Sequence, residues 1–303
     1  MSSGQTHPDT PTVDESLVRR LVAGQFPRWA GRSVERVASG GTVNAMYRLG
    51  EDMVVRLPLS RGGADDVPRE WEWLPRLAPH LPTSLPEVLG EGRPAEGYPW
   101  PWSVYRWLPG RTPEAGALRA PAALARDLAG FVAAMRGLVL PGAPRAYRGG
   151  PVALLDAGTR AAIEEMRDIP EEGVDCDAAA AVWEETLRAP DWDGAPVWLH
   201  ADLMPGNLLV DADGGRLHAV IDFGCLGVGD PACDLFPAWN LLPAEAREVF
   251  REALGVDDAT WIRGRGRALS QALLALPSYR DTDPAMAHNA RYVIGEVLRA
   301  VRG

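Results

Sequence analysis

The sequence predicts an α+β chain in two lobes, a small N-terminal lobe with an antiparallel sheet and a larger, mostly helical C-terminal lobe. Three observations carry that expectation. Residues 34–57 are short apolar runs punctuated by glycine, VERVASGG, NAMYRLG and EDMVVRLP, which is how strands joined by tight turns read. Past residue 113 the apolar residues recur at helical spacing instead. The intervening residues 94–113 are dense in proline and tryptophan and mark a change of architecture, so the expected lobes are residues 1–107 and 108–303. With 303 residues, 46% of them hydrophobic, the chain can fill two modest cores.

The elements follow in order. Leu17, Val18, Leu21 and Val22 lie at helical spacing after Asp14 and stop at Gly24, predicting a short first helix. The three apolar runs become three antiparallel strands, with Leu49-Gly50-Glu51-Asp52 as the second turn. REWEWLPRLAPHL then offers a helical face of Trp71, Leu74, Leu77 and Leu81, interrupted at Pro75. WSVYRWL, ahead of Pro109-Gly110, is a β-type run. In the C-terminal lobe Leu124, Leu128, Phe131, Val132 and Met135 form one helical stripe, and Val293, Ile294, Val297, Leu298 and Val301 form another.

Composition excludes several classes of function. The chain contains no lysine, so all 31 of its basic residues are arginine. Schiff-base chemistry and a Walker P-loop each need that amine and are ruled out. A formal charge of -10 argues against a nucleic-acid partner, which is held by clustered positive charge. It suits a cationic small molecule, or solubility alone. Cys176, Cys225 and Cys233 are odd in number and lack CxxC spacing, so neither a disulfide framework nor a thiolate metal site is expected. No apolar run of about eighteen residues occurs, and the polar start has no apolar segment behind a basic one, so a cytoplasmic setting with no membrane partner is expected.

The chemistry concentrates in residues 197–235. VWLHADLMPGNLLV sets a polar loop between two strand-like runs, with His200, Asp202 and Asn207 in it. The spacings H-x-D and D-x-x-x-x-N match a kinase catalytic loop, in which the aspartate accepts the proton of the attacking hydroxyl and the asparagine holds Mg²⁺. Beyond it the apolar run HAVI ends in Asp222-Phe223-Gly224. A carboxylate at a strand tip can bridge Mg²⁺ to nucleotide phosphates, while glycine lets the chain turn away. Mg²⁺ needs few protein oxygens, so Asn207 and Asp222 suffice with water and phosphate. Either half alone is a weak signal, since a turn after a strand yields Asp-Phe-Gly by chance; both in this order are specific.

His200-Ala201-Asp202-Leu203-Met204-Pro205-Gly206-Asn207 resembles the H-G/A-D-x-x-x-x-N loop of the aminoglycoside phosphotransferase family, with Ala201 where protein kinases carry arginine. Gly229-Asp230-Pro231-Ala232-Cys233-Asp234-Leu235 is similar to that family's G-D-P-x-x-D-L. The resemblance runs from about Val34 to the end of the chain and is firmest over residues 197–235. It implies a bilobal protein-kinase-like fold, Asp202 as the catalytic residue, and Mg²⁺ with ATP or GTP. Asp230 and Asp234 read either as support of the catalytic loop or as the N-cap and first-turn acid of a helix starting near Pro231. His200 reads as a buried imidazole bonded to backbone around the metal aspartate, not as the base.

The nucleotide-binding residues follow from the same resemblance. Ser39-Gly40-Gly41-Thr42-Val43-Asn44, between the first two strands, is similar to the family's S-G-G-x-x-N-x-x-Y-R turn, whose glycines let backbone N–H groups approach phosphate. Arg56 stands where protein kinases carry a β3 lysine, and its planar fork can hold two phosphate oxygens. Glu70 is its expected acidic partner, with Glu72 as the alternative. Tyr105, Arg106 and Trp107 occupy the hinge, whose backbone would bond the adenine edge.

Aminoglycosides are polycations, so an acidic cleft is expected for the acceptor. Glu164, Glu165, Asp168, Glu171, Glu172, Asp281 and Asp283 are its candidates, and ordinary solvated charge is the competing reading of each. Macrolide, choline, homoserine and fructosamine kinases share these motifs, so the substrate does not follow from the fold. The expected reaction is transfer of a γ-phosphate to a hydroxyl of a small molecule, an aminoglycoside first. A nucleotide-binding pseudokinase is the rival from another class, and retention of Asp202, Asn207 and Asp222 speaks against it. A metal protein built on His200, Cys225 and Cys233 lacks ligand spacing.

Overall fold

The computed structural model describes residues 12–37 and 43–301. The chain divides into two compact units, one of Met1–Pro79 with Ser84–Pro109 and the other of His80–Thr83 with Gly110–Gly303.

In the first unit helix α1 (Glu15–Gln25) is capped by Asp14, whose carboxylate accepts the Leu17 N–H at 2.7 Å. Its Leu17, Val18, Leu21 and Val22 are buried in one core with Tyr47, Leu49, Val55, Trp102 and Val104. Those last residues come from an antiparallel sheet of β1 (Val34–Arg36), β2 (Asn44–Leu49), β3 (Met53–Pro58), β4 (Val88–Gly92) and β5 (Trp102–Arg106), ordered β1-β2-β3-β5-β4. β3 is central, and all its residues except Arg56 are buried.

Helix α2 (Arg61–Leu77) departs from the expectation. It starts at a Ser60 cap, ahead of the REWEWL segment, and runs through Pro68 and Pro75 without a break. Its buried face is Val67, Glu70, Trp73, Leu74 and Leu77, so Trp71 is off that face and Leu81 lies past the helix end. Each internal proline costs about 3 kcal/mol. Burial of Val67, Leu74 and Leu77 returns about 1.5–3 kcal/mol apiece, and Trp73 adds a larger ring, so packing outweighs the two interruptions.

The second unit is mostly helical, with α3 (Pro121–Arg136), α4 (Asp156–Arg167), α5 (Cys176–Arg188), α6 (Pro237–Asn240), α7 (Ala244–Leu254), α8 (Asp258–Tyr279) and α9 (Pro284–Ala300). Two short antiparallel ladders interrupt the helices. β6 (Val197–Leu199) pairs with β9 (Gly227–Gly229), and between them in sequence β7 (Leu208–Val210) pairs with β8 (Leu217–Val220). Both expected apolar stripes are buried, on α3 and α9, except that Val301 follows the end of α9 and is exposed. α8 packs against α4, α5 and α9 and buries Arg263, Arg265 and Arg267. All three cysteines are free thiols. Among the described residues no helix is long and apolar enough to cross a membrane.

Candidate active site

In the second unit, nesting one ladder inside the other brings two polar loop segments together. The first, residues 200–207, ends in a tight turn at Pro205–Asn207; the second passes Ile221 and Asp222 into a turn at Phe223–Cys225. The Ile221 N–H donates to the Asn207 carbonyl at 2.9 Å, so Asn207 and Asp222 stand on adjacent backbone. His200 is fully buried. The Asp202 N–H donates to its Nδ1 at 3.2 Å, which assigns the proton to Nε2 and lets it donate to the Ile221 carbonyl at 3.0 Å. The imidazole therefore bonds backbone next to Asp222, as the sequence suggested.

Asp202 is held at both carboxylate oxygens. Asn207 Nδ2 donates to Oδ2 at 3.1 Å and to the Asp202 carbonyl at 2.8 Å, which leaves the amide oxygen as the group Asn207 can offer a cation. The Arg148 guanidinium takes Oδ1. Burial pushes the Arg148 pKa down, but Asp202 and the thiols of Cys225 and Cys233 push it up by more, so it stays charged. Sequence reading missed Arg148, because it lies 54 residues from its partner in a segment without periodicity.

That segment is stitched along β9. The Val228 N–H donates to the Pro144 carbonyl at 2.8 Å, the Ala146 N–H to the Val228 carbonyl at 3.1 Å, and the Asp230 N–H to the Gly149 carbonyl at 3.0 Å. Arg267 Nη1 donates to the Arg148 carbonyl at 2.9 Å. The backbones approach so closely that a Cβ at Gly227 would stand 2.4 Å from the Ala146 nitrogen, and one at Gly229 2.5 Å from the Gly149 oxygen. Only glycine fits there.

Behind the loop, Asp234 accepts the His200 N–H at 2.8 Å and the Ala201 N–H at 2.7 Å. Burial pushes its pKa up, against the opposing pull of His200 and the two N–H groups. Ala201 and Asp222 both have φ of +64°, a left-handed conformation that costs a non-glycine residue about 1 kcal/mol or more; at Ala201 the Asp234 bond helps to hold it. Asp230 caps the turn at Pro231–Leu235 through the Ala232 N–H at 2.9 Å and pairs with buried Arg263 at 2.9 Å and Arg267 at 3.3 Å. Of the two readings, the cap fits Asp230 and loop support fits Asp234.

Among the described residues no group of three or more His, Cys, Asp or Glu side chains gathers in a form that could hold a metal. The donors that fit a cation are the Asn207 amide oxygen and the Asp222 carboxylate. Mg²⁺, which keeps water and phosphate in its shell, needs no more.

In the first unit, four of the expected residues gather. Arg56 Nη1 donates to both Glu70 oxygens, at 2.8 and 2.9 Å. Asn44 accepts from Arg56 Nη2 at 3.0 Å and Nε at 3.1 Å, the amide being oriented by those donors. The Tyr105 hydroxyl donates to Glu70 at 2.5 Å; burial first, then the Glu70 charge, push its pKa far up. Glu70 is buried whereas Glu72 is exposed and bound to Arg76 at 3.2 Å, so Glu70 is the partner of Arg56. Ser39, Gly40, Gly41 and Thr42 lie outside the described residues. Trp107 stands apart from the cluster, its ring under the Arg48 guanidinium at 4.0 Å.

The hinge expectation needs correction in one respect. The Arg106 N–H is spent on the Glu87 carbonyl at 3.0 Å and the Trp107 N–H on the Asp52 carbonyl at 2.8 Å. An adenine contact from this stretch would have to use carbonyl oxygens or N–H groups beyond Trp107. Tyr105 enters the cluster through its side chain instead.

The acidic candidates fare unevenly. Glu164 pairs with Arg167 at 3.3 Å, Glu171 and Asp281 with Arg280 at 3.4 and 3.1 Å, and Glu172 with Arg291 at 2.5 Å. Asp283 caps α9. Glu165 and Asp168 are exposed.

Similar solved structures share the kinase-like fold. A GDP complex of an aminoglycoside 2'-phosphotransferase IIIa mutant has a TM-score of 0.73 at 20% identity, covering 96% of this chain and 99% of that one. An ADP-bound aminoglycoside phosphotransferase has a TM-score of 0.60 at 16% identity, covering 95% and 97%. The macrolide 2'-phosphotransferase of Brachybacterium faecium, as apoenzyme, has a TM-score of 0.61 at 21% identity, covering 93% and 97%. No curated protein matches the sequence. The family model described as the phosphotransferase enzyme family matches residues 34–269, a span that takes in the Arg56 cluster and the whole Asp202 loop with its supports. The chain belongs to the phosphotransferase enzyme family.

Proposed function

We propose that the protein transfers the γ-phosphoryl group of ATP or GTP to a hydroxyl of a small molecule, with Mg²⁺ as cofactor. The observation that carries this reading is the grip on Asp202, one oxygen held by Arg148 and the other by Asn207, beside the strand end that bears Asp222. A carboxylate fixed in this way suits orienting an attacking hydroxyl and taking its proton as transfer proceeds. Because two donors already share its charge, orientation is the larger part of its work. The Asn207 amide oxygen and Asp222 would hold Mg²⁺, which when bound neutralises phosphate charge. Arg56, fastened by Glu70 and Asn44, would present its guanidinium to an α- or β-phosphate.

Relatives of similar fold solved with GDP and with ADP support a nucleotide substrate. An APH(2'')-type enzyme solved with GDP and kanamycin, and another solved with gentamicin, support a small-molecule acceptor of aminoglycoside type, as does the charge of -10. The test is direct. Asp202→Ala and Asp202→Asn should each lower phosphoryl transfer roughly 10²- to 10⁴-fold with little change in nucleotide affinity. Calorimetry with and without Mg²⁺ should show Asp222→Ala losing the metal-dependent part of nucleotide binding. Near wild-type turnover by an Asp202 variant would sink the reading, and nucleotide binding without transfer to any acceptor would replace it with a pseudokinase.

A further inference from the structure

We propose that Tyr147 is the surface on which the acceptor lies, a carbon ring of the small molecule resting against the phenol while one of its hydroxyls faces Asp202. This rests on the phosphotransferase reading and adds a contact residue to it. The chain has six tyrosines. All but Tyr147 are buried or half-buried, and the hydroxyls of Tyr47, Tyr98 and Tyr105 are hydrogen-bonded. Tyr147 is 78% exposed. One exposed aromatic is ordinary by itself, so its place decides what it does.

That place is set by backbone. The Tyr147 N–H donates to the Cys225 carbonyl at 3.1 Å, in the turn that follows Asp222. On one side Ala146 is buried and bonded to Val228 of β9. On the other, Arg148 gives its guanidinium to Asp202, and its carbonyl accepts from Arg267. The ring thus stands on a stretch tied to both loop segments of the site. The Arg148 guanidinium carbon is 5.7 Å from the ring centre, and its bond to Oδ1 of Asp202 puts that centre within about 10 Å of the oxygen. A hydroxyl in hydrogen-bond reach of Asp202, about 3 Å away, leaves the carbon ring that bears it within the remaining span.

The chemistry of the phenol selects what touches it. Its faces are flat and apolar and its tip is polar, so it gains by covering carbon while the hydroxyl stays in water. The Arg148 cation already draws on the electron-rich face of the ring. An ammonium of a ligand would compete for that same attraction, whereas C–H groups gain dispersion and shed water without competing. The contact is therefore with the carbon face of the acceptor, and it is indifferent to charges the acceptor carries elsewhere. A fixed ring of this kind sets which hydroxyl is turned toward Asp202, since a molecule lying flat against it has few orientations left.

The test follows transfer of labelled phosphate from nucleotide to kanamycin and to a neutral alkyl glycoside, together with nitration of Tyr147 by tetranitromethane, read by peptide mapping. Tyr147→Ala should raise the KM of whichever acceptor is used by roughly tenfold, with a smaller change in kcat and none in the nucleotide KM. Tyr147→Phe should restore most of the loss, because the ring makes the contact and not the hydroxyl. Nitration of the wild type should be slowed several-fold by the acceptor and not by Mg-nucleotide alone. An acceptor KM unchanged in Tyr147→Ala overturns the proposal and leaves the phosphotransferase reading standing. A rise that Tyr147→Phe shares in full, or that the nucleotide KM follows, does the same. Protection by a compound that is never phosphorylated keeps the contact and refutes the phosphotransferase reading. Neither transfer nor protection, in protein that binds Mg-nucleotide, refutes both.

Discussion

Removing the Asp234 carboxylate should loosen the second unit by an amount set by two hydrogen bonds. Asp234 is 0% exposed and accepts the N–H groups of His200 and Ala201 at 2.8 and 2.7 Å. In Asp234→Ala both donors are left buried without an acceptor, at about 1–3 kcal/mol each, or about 2–6 kcal/mol together. Asp234→Asn keeps one acceptor and turns an amide NH₂ against the other N–H, so about half that loss is expected. Burial already pushes the carboxyl toward protonation, and relief of that desolvation places both variants in the lower half of their ranges. Against a typical stability of about 5–15 kcal/mol, either loss is measurable by urea unfolding with linear extrapolation. The order should be wild type, then Asn, then Ala, and kcat of the folded fraction should fall in the same order as Ala201 leaves its left-handed conformation. Two variants within about 0.5 kcal/mol of wild type would show that solvent or a neighbour replaces the carboxylate, and the reasoning would fail.

Three further outcomes are expected. Arg56→Ala should raise the KM for nucleotide, and Arg56→Lys should keep substantial activity because Glu70 still has a cation to bind; a nucleotide-bound structure with Arg56 turned to solvent would contradict this. Arg148→Met should lower kcat by up to about 10²-fold through misplacement of Asp202, with a smaller effect on nucleotide KM and partial rescue by Arg148→Lys. Unchanged kcat in both would make the pair structural only. Asp127 accepts the Arg216 fork at 2.7 and 2.8 Å, which holds its pKa below the usual carboxylate range. A depressed folded pKa gives stability that is full above the unfolded value of about 3.9 and is lost as pH falls through the folded one. The stability gap between wild type and Asp127→Asn should therefore narrow from about pH 6 to about pH 3; an equal gap at both ends would disprove the linkage.

The parts of the structure legible in the sequence are those whose causes are local. The β2–β3 hairpin, the loop from His200 to Asn207 and the capped turn at Asp230 each declare themselves within a dozen or so residues, because strand period, turn glycines and cap chemistry act at short range. The choice of Glu70 over Glu72 was also readable: Val67, Glu70, Leu74 and Leu77 follow helical spacing, which puts an acid on a buried stripe. What the sequence hid is the extent of the helix that carries this stripe, because Pro68 and Pro75 read as interruptions of it. Arg148 gave no signal of any kind. Its partner is fixed by backbone pairing with β9 and by Gly227 and Gly229, whose meaning appears only when the approaching chain is in view.

The stitching of residues 144–150 to β9 and α8 also bears on how the protein comes into being. Arg267 meets the Arg148 carbonyl across 119 residues, and Asp234 meets His200 of the loop across 34. Helices can form from neighbouring residues, but contacts of this span must first overcome loop-closure entropy, so the catalytic loop sets after the helices around it. A nascent chain carries every motif residue once Asp234 has left the ribosome, yet it lacks the helix that fastens the Arg148 segment until α8 follows. Chains ended ahead of α8 should therefore be inactive, and supplying the missing C-terminal piece as a separate fragment should restore turnover. If the shortened chain works unaided, the Arg267 contacts are dispensable. Within the second unit, catalytic competence is a late event of synthesis, and a split at the turn before α8 would make the protein a switch that is off until its two pieces meet.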